Sequence, residues 1–200
     1  MKHALDAILE RLDGRETLSP LMPKKAWDGE LEARIESLAQ GISLSETALI
    51  ALMAGLHLRN DSLDASHSYA QEIEHDATGA YWHGLMHRME GDFYNSKYWF
   101  RQAGRHPAMD LTRKRVAEQL GGAAETEKIA SIKDSYASGV LSSFRSEAGW
   151  DSARFVDLAV WQEKLAANDE ARALLERIQR IEMEALFEYT LEAARPYLPE

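Results

Sequence analysis

The sequence predicts an all-α protein, a bundle or short solenoid of about eight to nine helices. Three observations lead there. Ala, Leu, Glu and Arg, all good helix formers, are abundant. Apolar residues recur at three- and four-residue spacing, while few segments alternate as a strand would. Gly, Pro and Asn-Asp breaks fall at helix-length intervals. A chain of 200 residues suits a single domain with its own core. The expected division is N-terminal helices over 1–40, two helical hairpins over 43–107 and C-terminal helices over 108–200.

Each element has a local reason. Residues 2–12 align Ala4, Leu5, Ile8, Leu9 and Leu12 on one side. Gly14, Pro20 and Pro23 make 13–27 a loop. The stripe Leu31, Ile35 and Leu38 places a helix over 28–40, closed by Gly41. Ser43 and Glu46 read as a capping box that opens the next helix, running to about Arg59. Asn60-Asp61 breaks the chain before a helix over 62–74. Helices at 79–89 and 93–104 flank the Gly91-Asp92 turn, and Gly104 and Pro107 end the second.

A helix over 108–120 stops at Gly121-Gly122. One over 124–136 should precede a Ser/Gly link at 137–149. Trp150 staples and Asp151 caps a helix over 152–166. Asn168-Asp169 leads into the longest helix, 170–194, with Leu174, Ile178, Ile181 and Ala185 as its stripe and Pro196 as its stop.

Composition narrows the function. The absence of cysteine excludes disulfides, Cys-ligated zinc and thiol catalysis, and is compatible with the cytoplasm. The charged N-terminal MKHALDAILERLDGRE has no signal-peptide h-region, and no stretch approaches the ~20 apolar residues of a membrane span. A soluble cytoplasmic protein without membrane partners is expected. A net charge of −10 argues against nucleic acid, because a phosphate backbone must be neutralised by cations. The basic run Arg101, Arg105, Arg113, Lys114 and Arg115 reads as a solvated helix face. Neither a Gly-rich phosphate loop after a strand nor a Gly-x-Ser-x-Gly elbow occurs.

An offset of 31 superposes the two central hairpins, laying Asp61 on Asp92, Ala65 on Ser96 and Tyr69 on Phe100, but Met53 on Gly84. The second unit resembles a tetratricopeptide repeat through Gly84, Gly91-Asp92-Phe93, Ser96, Phe100 and Ala103, with Pro107 closing it. The resemblance implies stacked hairpins and a groove for a protein segment or small-molecule ligand. Tyr81, Leu85 and Arg88 would line that groove, and the leading expectation is a non-catalytic binding or scaffold module. His83 and His87 depart from the pattern, occupying places where it keeps large apolar residues. The stretch YWHGLMHRMEGDFYNSKYWFRQAGRHP (Tyr81–Pro107) also resembles a signature in a group of uncharacterised bacterial and fungal proteins. That resemblance extends to FVDLAV and IQRIEMEALF and implies a shared fold, with no activity attached.

The same stretch carries the candidate chemistry. His83 and His87, four apart, fall on one helix face about 5–6 Å from each other at Cβ. Glu90 continues that face, and His106 can fold back near it, while Asp92 and Asn95 occupy the turn. Such a set suits a divalent metal such as zinc, iron, nickel or manganese, and a metal-dependent enzyme is the alternative function. Gly84 after His83 excludes the His-Glu-x-x-His protease motif. The other reading of the pair is a buried network bonded to Asn95, Tyr98 or a backbone carbonyl. Arg88 and Arg101 are expected to pair with Glu90, Asp92 or Asp157. Asp157 and Glu182, set among apolar stripes, complete the candidate polar cluster. His57 is expected in the core. The surface of a possible homodimer has no sequence signal.

Overall fold

The computed structural model describes residues 2–42, 44–146, 148, 150–166 and 168–198. They form eleven α-helices: α1 (Lys2–Asp13), α2 (Gly29–Gln40), α3 (Thr47–Arg59), α4 (Leu63–Glu72), α5 (Ala77–Glu90), α6 (Phe93–Ala103), α7 (Ala108–Leu120), α8 (Ala123–Ser131), α9 (Ser135–Phe144), α10 (Ser152–Trp161) and α11 (Asp169–Ala194). The all-α class holds, and the helix count exceeds the expected eight to nine. No helix among the described residues is long and apolar enough to cross a membrane.

One reason for the higher count is the segment after Gly121-Gly122. It forms two helices where the sequence suggested one helix and a link. Asp134 accepts a hydrogen bond from the Ala137 amide at 2.8 Å and starts α9 anew. Ala137, Val140, Leu141 and Phe144 then recur at helical spacing and are all buried, which outweighs the weak propensity of the intervening Ser and Gly. At the next boundary the staple forms as expected. Trp150 packs on Phe155 with ring centroids 5.5 Å apart, and Asp151 caps the Arg154 amide at 3.0 Å. Beyond Trp161 the helix widens into a π-helical turn over Gln162–Ala166.

Ser43, half of the expected capping box, lies outside the described residues. The other half, Glu46, occupies the N-cap of α3 without a side-chain cap bond.

The central hairpins repeat with an offset of 30, one less than the sequence comparison used. The residue with positive φ is Asp61 (59°) in the first turn and Gly91 (93°) in the second. The Ser62 amide donates to the His57 carbonyl at 2.9 Å, as the Asp92 amide does to His87 at 2.9 Å. Ser66 Oγ donates to the Ala54 carbonyl at 2.9 Å, and Ser96 Oγ to the Gly84 carbonyl at 2.7 Å. Gly84 therefore matches Ala54, a small residue in both units. The small residue matters because a Cβ at Gly84 would stand 2.9 Å from the Phe100 ring. Asp61 tolerates the left-handed turn that glycine takes in the second unit, and Arg15 Nη2 holds its carboxylate at 2.7 Å.

Two hydrophobic clusters form the interior. One joins α1–α6 to the C-terminal half of α11. The other joins Leu21, α7–α10 and the N-terminal half of α11. Helix α11 has 26 residues, about 39 Å at 1.5 Å per residue, and passes through both. Its middle, around Gln179 and Glu182, lies where the two clusters meet.

Candidate metal centre

Three histidines from two adjacent helices converge. Asp76 sets the start of α5 by accepting from the Thr78 and Gly79 amides at 2.8 and 3.2 Å, earlier than the expected 79. Helix geometry then stacks the rings of His83 and His87, with centroids 4.6 Å apart and planes at 15°. Trp99 of α6 covers the other face of His83 at 4.2 Å, also at 15°. His67 comes across from α4, its ring 4.8 Å from that of His83 and 5.2 Å from that of His87. The ring nitrogens that can serve as ligands all lie within 4.8 Å of one another.

His83 is 2% exposed and neither ring nitrogen has a hydrogen-bond partner. The expected bonds to Asn95, Tyr98 or a carbonyl do not form. An unsatisfied buried polar group costs about 1–3 kcal/mol. Burial, and then the neighbouring His87 and His67, push the His83 pKa down to about 3, so its imidazole is neutral at pH 7. A neutral imidazole is the form that binds a metal. His87 is oriented by Glu90, whose Oε1 lies 2.5 Å from Nδ1. A carboxylate accepts, so Nδ1 donates, and Nε2 is the nitrogen left for another partner. Carboxylate–histidine pairs of this kind orient metal-ligating imidazoles in metalloproteins. His67 is half-buried, and its ring is held by contacts with the His83 and His87 rings. Zinc–nitrogen bonds of about 2.0–2.1 Å put tetrahedral ligand atoms roughly 3.4 Å apart. Closure thus requires the ligand atoms to draw in from within 4.8 Å and the near-parallel His83 and His87 rings to turn, because an imidazole lone pair lies in the ring plane.

The other expected site residues separate into different environments. His106 does not join the histidines. Its Nδ1 accepts from the Ala108 amide at 3.1 Å, which leaves Nε2–H to donate to Thr78 Oγ1 at 3.2 Å. Its ring packs against Tyr81 and Tyr189, and burial lowers its pKa to about 4. Asp92 lies close to His87 and Glu90. Both its oxygens are already occupied, by the Asn95 amide at 3.1 Å and Asn95 Nδ2 at 2.8 Å, which fixes the start of α6.

Arg88 pairs with none of the acids expected for it. Its Nη1 meets Glu182 Oε2 at 2.6 Å and its Nε donates to Gln179 Oε1 at 3.2 Å. Tyr81 and Ser152 hydroxyls donate to Glu182 Oε1 at 3.0 and 2.8 Å. Tyr81 is held far above the usual phenol range, first by burial and then by the Glu182 charge. Tyr81, Leu85 and Arg88 are wholly enclosed, so they line no groove. Asp157 pairs with Lys97 at 2.5 Å and accepts from Tyr136 at 3.3 Å. Arg101 stands exposed at a separate cleft. His57 is in the core as expected, stacked on Tyr69 with Nε2 2.9 Å from Glu36 Oε1.

The residue that sequence reasoning missed is His67. It lies in the preceding hairpin, and the packing of α4 on α5 of the next brings it to the pair. In comparisons with known proteins, the chain matches no family model, no curated protein and no solved structure, so the functional reading rests on the geometry of this site.

Proposed function

We propose that the protein binds a divalent transition metal through His67, His83 and His87, with Glu90 orienting His87. The observation that carries this reading is His83. It is a buried imidazole with both nitrogens unpartnered, directed among two further imidazoles whose ligand atoms lie within 4.8 Å. A histidine kept only for packing would be replaced at lower cost by an apolar residue, because its two nitrogens are desolvated and unpaired here. A metal removes that cost. Three imidazole ligands suit zinc, nickel, copper or iron better than magnesium or calcium, which prefer oxygen ligands. Three protein ligands leave a coordination position open, as Lewis-acid catalysis requires. His67 is partly buried and Glu90 exposed, so the cluster has a solvent-facing side.

The test uses protein purified without a metal-affinity tag, stripped with a chelator and titrated calorimetrically with zinc, then nickel, copper and iron(II). One equivalent should bind to the native chain, and His67→Ala and His87→Ala should each abolish or strongly weaken it. No saturable binding of any of the four metals, or unchanged binding in both variants, would overturn the proposal. His67 is half-buried, so its variant separates loss of ligation from loss of fold.

A further inference from the structure

Arginine placement shows a second feature, independent of the histidines. Most arginines are held by a carboxylate, including Arg15, Arg59, Arg88, Arg115, Arg172 and Arg180. Among the described residues, Arg34, Arg145 and Arg154 are not, and neither are the neighbours Arg101 and Arg105. Both line one cleft of about 380 Å³ between the α6–α7 corner and the start of α10, where Arg113 joins them. The corner depends on Gly104, whose φ of 60° and ψ of −142° belong to glycine and place Arg101 and Arg105 on either side of it.

The cleft has polar and apolar walls. Phe100, Met109 and Trp150 supply apolar surface. Trp150 is 8% exposed and its indole Nε1 is buried without a hydrogen-bond partner. An indole N–H can only donate, so the group that satisfies it is an acceptor. Ser152 and Ala153, the first residues of α10, also line the cleft and add the positive end of that helix. Two carboxylates oppose the charge. Asp110 is bound by Arg113. Asp151 spends Oδ1 on the Arg154 amide. Three guanidiniums against two carboxylates leave a net positive wall in a chain of net charge −10. The volume is near the lower end of small-molecule pockets, roughly 300–1,000 Å³.

We infer that this cleft binds a small organic oxyanion, a phosphate or carboxylate carried on a ring-sized apolar body. Arg101 and Arg105 hold the oxyanion, since planar guanidinium forks match both groups bidentately. The apolar body rests on Phe100 and Met109. Trp150 lines the same cleft, so its indole reports on binding. The basic run in the sequence is thus split by the fold, because Arg115 is engaged by Glu188 and takes no part.

The experiment is a titration of the ¹⁵N-labelled full chain with phenyl phosphate, with benzoate and benzylamine as comparison arms, following the tryptophan indole resonances. Trp150→Phe assigns the Trp150 signal. Phenyl phosphate or benzoate should bind saturably with a dissociation constant of about 1 mM or below and shift the Trp150 indole. Which of the two binds more tightly identifies the oxyanion. Benzylamine should not shift it. Arg101→Gln/Arg105→Gln should weaken binding at least about tenfold, as should a rise from low to high salt. Both side chains are exposed, and a circular dichroism melt establishes that the double variant is folded. Arg101→Lys/Arg105→Lys, which keeps the charge and loses the fork, should fall between the two. Lack of saturation by about 10 mM of either anion, equal binding of benzylamine, or unchanged affinity in the Gln double variant would overturn the inference.

Discussion

Arg88 Nη1 and Glu182 Oε2 meet at 2.6 Å with both side chains wholly excluded from solvent, ninety-four positions apart in sequence. The pair ties α5 to the middle of α11, where the two hydrophobic clusters join. Tyr81, Ser152 and Gln179 add hydrogen bonds to it, Arg88 Nη2 is left buried without one, and the guanidinium lies 4.5 Å over the Phe155 ring. A buried ion pair gains little over an apolar replacement, but half of one is costly. Glu182→Leu should therefore destabilise the fold by about 3–5 kcal/mol, because it strands a buried cation. Arg88→Met with Glu182→Leu should recover much of that loss. Urea unfolding of the single and double variants checks it, and additive effects would show that the two residues are not coupled.

Glycine positions give opposite expectations for one substitution. A Cβ at Gly79 would stand 2.2 Å from the Ile73 carbonyl oxygen, and backbone cannot move aside cheaply. Gly79→Ala should cost at least about 1–3 kcal/mol. At Gly139, exposed within α9, a Cβ would meet nothing within 4 Å. Gly139→Ala should stabilise by about 0.5–1 kcal/mol through helix propensity alone. Thermal melts of the two variants should move in opposite directions.

The stability of the metal-free protein should fall in acid. Burial lowers the pKa of His57 and of His106 from 6.5 to about 4 in the folded chain. Unfolding restores the ordinary value, so between those limits the unfolded chain binds more protons and stability rises with pH. The contribution of each is fully present above pH 6.5 and is lost as pH falls towards 4. Each adds a slope of up to about 1.4 kcal/mol per pH unit in that window. Urea unfolding between pH 4.5 and 7.5 should show the slope, and His106→Phe should reduce it by up to one proton. An unchanged slope in that variant would assign the pH dependence to other groups.

At the proposed metal site, Glu90→Gln should weaken binding without abolishing it. An amide still contacts His87 Nδ1 but no longer supplies the charge that raises ligand basicity. A loss of about 10–100-fold in affinity is expected, against a far larger loss in His87→Ala. Calorimetric titration measures both, and the metal-free melting temperature of Glu90→Gln should stay close to that of the native chain, since Glu90 is about a third exposed.

Helix positions were largely legible in the sequence because their causes are local. Capping side chains at Asp28, Asp92, Asp151 and Asn168, and turns at Gly91 and Gly104, act within four residues of themselves. The i, i+4 pairing of His83 with His87 is local in the same way. Helix α9 escaped this reading because its Ser and Gly disfavour helix, and only burial of its apolar stripe against the rest of the chain decides it.

The sequence by itself determined an all-α chain, most helix ends, and two histidines on one face of α5. Tertiary structure alone decided that His67 joins them and His106 does not. It also matched Arg88 to Glu182, enclosed Tyr81 and Leu85, and set the hairpin repeat at 30 through the paired Ser66 and Ser96 bonds. The physical reason is range. Helix periodicity and capping are settled between residues a turn apart, whereas the partner of a buried polar group is chosen by which helices pack together, and that choice depends on the whole chain at once.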